Sequence, residues 1–150
     1  MVELNHIDKE ILKILQENCR IPFSEIAKRL GVSEATVHLR VRKLRRNGVI
    51  RKFQAIIDPE KVGKTLTAII AIRAEPRKYD SILERLKTMN SICEIYDVTG
   101  DYYAILKVRV GSREELAKVL DEIGKLDGVL NTTTMVVLRV IKEDYTIPIE

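Results

Sequence analysis

Residues 24–48 read SEIAKRLGVSEATVHLRVRKLRRNG. Two short amphipathic runs flank a small-residue turn, and the second run ends in a burst of arginine. Ile26, Ala27 and Leu30 share the inner side of the first run. In the second, Val37, Val41 and Leu44 fall at i, i+4, i+7, the spacing at which a helix presents one face. Pro22 starts the first helix, and Gly31 can take the left-handed conformation that stops it. Ser33 caps the second helix and Asn47-Gly48 ends it. Two helices joined by a Gly-containing turn of about three residues make a helix-turn-helix, whose second helix enters the DNA major groove. Ala27 is small where that second helix must cross.

With Val37, Val41 and Leu44 inward at about 100° per residue, Ala35, Leu39, Arg42 and Arg46 face outward. Thr36 and Lys43 flank them on one side, His38 and Arg45 on the other. Such a surface suits a groove, where apolar contacts meet thymine methyls and Arg, His and Thr reach base edges and phosphates. Residues 33–46 hold five basic side chains and one acid, and Arg51 and Lys52 extend the patch. A Lys/Arg-rich helix by itself is more often a solvated face; the turn and the small residues are what favour DNA. The DNA-binding set read here is Ser33, Ala35, Thr36, His38, Leu39, Arg40, Arg42, Lys43 and Arg46. His38 can equally be a satisfied helix residue that touches no base.

Charge supports that division of labour. The chain nets +4, but residues 1–58 carry 12 Lys and Arg against 7 Asp and Glu, while residues 59–150 carry 14 against 15. Cys19 and Cys93 lie far apart, and His6 and His38 are the only histidines, so neither a disulfide framework nor a metal site is written here and no cofactor is implied. The opening MVELNHIDKE has no signal-peptide pattern, and no apolar run reaches the ~20 residues that span a bilayer. The expectation is a reduced, cytoplasmic protein without a membrane partner.

Around the motif, Asn5 caps a first helix that carries Ile7, Ile11, Ile14 and Leu15 at helical spacing. The run IRKFQAII, residues 50–57, alternates Phe53, Ala55 and Ile57 as a strand would, and residues 58–64 read as a linker opened by Asp58-Pro59. Behind it a pattern repeats: a strand from Leu66 to Arg73, a helix with Tyr79, Ile82, Leu83 and Leu86, and a strand from Ile92 to Val98. Gly100-Asp101 turns the chain into a strand from Tyr102 to Val110. A helix with Leu116, Val119, Leu120 and Ile123 follows, then a long last strand from Val129 to Lys142. The fold class is α+β: an N-terminal helix-turn-helix, winged-helix-like domain over 1–57, the linker, and a C-terminal ferredoxin-like βαββαβ domain over 65–150. The last strand is apolar on both faces, Val136, Leu138 and Val140 alternating with Met135, Val137 and Ile141. Helices cover one face of such a sheet only, so the other predicts a homodimer.

The whole chain resembles the leucine-responsive regulatory proteins, the Lrp/AsnC or feast/famine family. The resemblance runs from IDKEILKILQENCRIPFSEIAKRLGVSEATVHLRVRKLRRNGVIRKFQAIIDPEKVG through TGDYY to GVLNTTTMVVLRVIKE. It implies a sequence-specific transcription regulator that binds pseudo-palindromic promoter sites on double-stranded DNA. Its C-terminal domain, called RAM for regulation of amino-acid metabolism, would assemble dimers into octamers or higher forms and bind a small effector, usually an amino acid, between subunits. Carried over by position, the effector residues are Gly100, Asp101, Tyr102, Thr132 and Thr134, with Tyr79 added from the first RAM helix. Asp101 offers an acceptor for an ammonium group, and the threonines offer donors for a carboxylate. G-D-Y is also an ordinary tight turn, and Asn131–Thr134 also suits a strand edge. Tyr103 stands where many relatives carry a second acid, so no particular relative's effector is carried over to this chain.

Two rivals of other classes remain at this stage. Ferredoxin-like domains host many enzymes, but no Gly-rich phosphate loop or catalytic constellation is present, and Glu114-Glu115 and Asp121-Glu122 fall on a solvated helix face, so the chain does not read as an enzyme. An architectural DNA-packing protein would share every feature of residues 1–58 and lack only the effector. RNA binding is a minor option, since the recognition helix carries no aromatic residue.

Overall fold

The computed structural model describes residues 3–150; Met1 and Val2, where the first domain read from sequence begins, lie outside the described residues. The chain forms two compact units, one of residues up to Ile56 together with Lys142–Glu150, the other Ile57–Ile141.

In the first unit α1 spans His6–Glu17, α2 Phe23–Leu30 and α3 Glu34–Arg46. The Asn5 side chain accepts the Asp8 N–H at 2.9 Å, and the Asp8 carboxylate accepts the Asn5 N–H at 3.3 Å, so both orphan donors at the start of α1 are satisfied. Gly31 ends α2 at φ 66, the left-handed region where a side chain is strained. Ile11, Ile26 and Val37 lie at the centre of a core that α1, α2 and α3 share. The C-terminal tail belongs to this unit, not to the second as the limits 65–150 had it. Gln16 of α1 donates to the Ile147 carbonyl at 3.0 Å and accepts the Ile147 N–H at 2.7 Å, and Ile149 packs against the helical core.

The expected strand over residues 50–57 does not form. Val49 and Ile50 pack against the helical core, but residues 51–57 pair with no strand among the described residues, and Phe53, Ile56 and Ile57 stay exposed. Alternation specifies a pleat only when a neighbouring backbone takes up the N–H and C=O groups.

The second unit is an antiparallel sheet in the order β2-β3-β1-β4, with β1 Leu66–Ala74, β2 Ile92–Asp97, β3 Ala104–Val110 and β4 Val129–Val136. Helix α4, Tyr79–Lys87, links β1 to β2, and α5, Arg113–Gly124, links β3 to β4. Ala68, Ile70 and Ile72 of β1 and Ala104, Leu106 and Val108 of β3 are buried with Ile82, Leu86 and Ile123 of the helices, so both helices cover one face. Two strand limits differ from expectation. Tyr102 precedes β3 and belongs to the turn. β4 stops at Val136 and not at Lys142, because Val136 already faces Ala68 near the start of β1 and the last ladder bond runs from the Val137 N–H to the Thr67 carbonyl. Beyond it Leu138, Val140 and Ile141 are exposed.

Candidate nucleic-acid interface and effector site

On α3 the burial follows the helical period. Val37, Val41 and Leu44 are buried, and Ala35, His38, Leu39, Arg42, Lys43, Arg45 and Arg46 are exposed, Leu39 at 62%. Ser33 caps the helix by accepting the Thr36 N–H at 3.1 Å, and the two hydroxyls meet at 2.8 Å, so both sit at the leading turn with lone pairs still open to solvent. Arg42, Lys43 and Arg46 make no ion pair among the described residues. Their charge is left for an anion outside the chain. His38 is less free: Glu34 Oε1 lies 3.5 Å from its Nε2, and its ring meets Phe23 edge-on at 4.7 Å. Arg45 sits 5.7 Å above the Phe53 ring, a cation–π contact that the sequence pattern did not show.

Arg40 does not belong with the outward set. It lies at i+3 from Val37, on the flank of the inner face, and its Nη1 is 3.5 Å from the buried Asp8 Oδ2. The helical period already carried this signal, since residues 37, 40 and 44 share a side.

The residues read as an effector site divide between two faces of the sheet. Partners in antiparallel register point to the same face. Thr132 lies opposite Ile72 and Thr134 opposite Ile70, which places both threonines on the helix-covered side. Thr133, opposite Ala71, points to the open side, where its hydroxyl meets the Tyr102 hydroxyl at 3.3 Å. Arg73 of β1 joins them, its guanidinium 5.2 Å from the Tyr102 ring centre and 3.9 Å from the Asp101 carboxylate. Gly100, at φ 108, allows the turn that carries Asp101 out into solvent. The structure thus gathers Asp101 and Tyr102 of the turn with Arg73 and Thr133, and leaves Thr132 and Thr134 on the far side.

Tyr79 is committed to the fold. Its hydroxyl lies 2.7 Å from the Tyr103 carbonyl, to which it donates, and 3.2 Å from Asp97 Oδ1, and its ring packs on Tyr103 at 4.9 Å. Burial, then the nearby Asp97 carboxylate, pushes its phenol up to about 12. A groove of about 550 Å³ between the ends of α4 and α5, lined by Arg85, Glu115, Lys118 and Glu122, holds none of these residues.

Against known proteins, the sequence model described as "Winged helix-turn-helix DNA-binding" matches residues 4–51, and that described as "Lrp/AsnC ligand binding domain" matches residues 67–147. The chain belongs to the Lrp/AsnC family. Among Lrp/AsnC relatives, the HTH-type transcriptional regulator FL11 of Pyrococcus horikoshii is 45% identical over 149 residues, 99% of each chain. AsnC of Escherichia coli superposes with a TM-score of 0.89 at 30% identity, covering 95% of this chain and 97% of AsnC. The regulator NMB0573 of Neisseria meningitidis, solved as a complex with L-Met, superposes at 0.91 over 97% of each chain; at 24% identity it shows the fold alone. This Lrp/AsnC chain is therefore a DNA-binding transcription regulator with a ligand-binding domain, and its relatives are regulators, not enzymes. Among the described residues no helix is long and apolar enough to cross a membrane.

Proposed function

We propose that this regulator reads pseudo-palindromic promoter DNA through the outward face of α3, as a cytoplasmic homodimer that assembles further into octamers or higher forms. We propose also that a small effector, an amino acid, tunes it at the open face of the second unit. The observation that carries the DNA reading is the exposed set of Ala35, Leu39, Arg42, Lys43 and Arg46, whose cations have no ion-pair partner among the described residues. Two such helices in a dimer reach half-sites about one duplex turn apart. Assembly is supported by the exposed Met135, Val136, Leu138, Val140 and Ile141 and by the unpaired stretch through Phe53, Ile56 and Ile57.

The effector reading rests on Asp101, Arg73, Tyr102 and Thr133, which offer a carboxylate, a guanidinium and two hydroxyls on one open surface. A zwitterion has an ammonium for the first and a carboxylate for the second. A site on the open face of a sheet is completed when a second subunit covers it. Within this reading the DNA-binding domain is residues 1–57 with the tail from 142, and the effector domain begins at 65 after the linker 58–64. A thermal unfolding screen against the twenty amino acids tests the sensor: a ligand of the folded state raises the melting temperature according to its concentration over Kd. A shift with one amino acid supports the reading. No shift at millimolar concentration, with footprints uniform along random DNA, supports an architectural DNA-packing role instead.

A further inference from the structure

Asp8 is the one charged side chain classed as buried among the described residues, 4% exposed. It sits in the first turn of α1, inside the unit that carries the DNA-binding helix. Its Oδ2 accepts the Asn5 N–H at 3.3 Å and faces Arg40 Nη1 at 3.5 Å, while its Oδ1 is buried with no hydrogen-bond partner among the described residues. Capping accounts for the contact with Asn5. The positive N-terminal end of α1 also favours a carboxylate there, but neither effect accounts for taking it out of water, which costs free energy unless a charged partner offsets it.

Arg40 accounts for it. The residue lies 32 positions along the chain on α3, half-buried, on the side of the helix that packs inward. The close-packed Ile11, Val37 and Val41 hold α1 and α3 together, and a charged pair between the start of α1 and the middle of α3 adds a directional contact that is satisfied in one rotation of α3 on that core. The neighbouring Arg42 and Lys43 have no such tether.

We propose that Arg40 is a positioning residue: held by Asp8, it sets the angle at which α3 presents Leu39, Arg42, Lys43 and Arg46, and it does not touch DNA. Removing either charge then lets α3 settle at a different angle in a protein that is still folded.

The test uses the full chain and a labelled duplex that the wild-type protein has selected from random sequence. Affinity is measured by anisotropy across a salt series, at a temperature where circular dichroism shows every variant folded. Arg40→Gln and Asp8→Asn each weaken binding by about fivefold or more, and the double variant is no weaker than the weaker single, since the two act as one coupled unit. Arg40→Gln leaves the slope of log affinity against log salt unchanged, whereas Arg42→Ala lowers it by about one because a phosphate contact is lost. Two results overturn the proposal. If Asp8→Asn tightens binding while Arg40→Gln flattens the slope by about one, Arg40 is a phosphate contact for which Asp8 competes. If either substitution lowers the melting temperature and leaves affinity unchanged, the pair only stabilises the fold. Should Asp8→Asn fail to fold, Arg40→Gln decides through its affinity and slope together. An Arg42→Ala variant with wild-type affinity would instead count against the α3 interface itself.

Discussion

The two units differ in how complete a single chain makes them. The face proposed for DNA lies on one helix within fourteen residues, and its Leu39, Arg42, Lys43 and Arg46 are already presented to solvent, the three cations without an ion pair among the described residues. The face proposed for the effector draws on β1, the turn before β3, and β4, segments about thirty residues apart, and it is an open surface. Interfaces built on one helix follow from periodicity, because 3.6 residues per turn decides which side chains share a face. Those built on a sheet follow from register, where a slip of one residue exchanges the faces.

Substitutions that separate the two units sharpen this contrast. The largest effect is expected in the cores: Ile26→Ala in the first unit and Ile70→Ala in the second, both completely buried, should each cost about 2–5 kcal/mol in denaturant-induced unfolding. Next comes the helix face. Arg42→Ala combined with Arg46→Ala should weaken DNA binding about 10-fold to 100-fold at low salt and reduce the salt slope by about two, while any amino-acid-induced melting shift is retained.

A smaller effect is expected at Tyr79. Tyr79→Phe should cost about 1 kcal/mol at neutral pH by losing the bond to the Tyr103 carbonyl. Because the folded state raises this phenol to about 12, its neutral form is favoured by folding. That contribution is present below the ordinary phenol value of about 10 and is lost as pH climbs through about 12. The phenylalanine variant should therefore lose less stability than wild type over that alkaline window, as read by denaturant unfolding followed by far-ultraviolet circular dichroism.

The smallest expected change in folding stability, under about 0.5 kcal/mol, is at the exposed threonine. Thr133→Val and Asp101→Asn should abolish the melting shift given by the effector amino acid, and Thr134→Val should leave it intact. The reverse result would return the site to the helix-covered face.

Much of the fold is legible in the amino-acid sequence. Asn5, Ser33 and Gly31 carry local capping chemistry, and their positions set the limits of α1, α2 and α3 within a residue or two. The alternation in β3 likewise matches its burial from Ala104 to Val110. Misreadings arose where the deciding partner lay elsewhere in the chain. The run IRKFQAII has the pattern of a strand and no partner to pair with, and β4 ends where β1 runs out, although its apolar alternation continues. Tyr79 entered the effector set only through the family resemblance, and its hydroxyl is engaged by Tyr103 and Asp97.

The amino-acid sequence by itself determined the helix-turn-helix, its outward face, the order of strands and helices and the uneven charge, all of which rest on short-range periodicity, capping and composition. Tertiary structure decided which of three consecutive threonines faces the Asp101 turn, that Arg73 joins it, that the tail from Lys142 returns to the helices, and that Arg40 turns to Asp8. Each of these depends on which distant segment lies alongside, and strand register and helix packing are set by the summed burial of both cores, which no local stretch encodes.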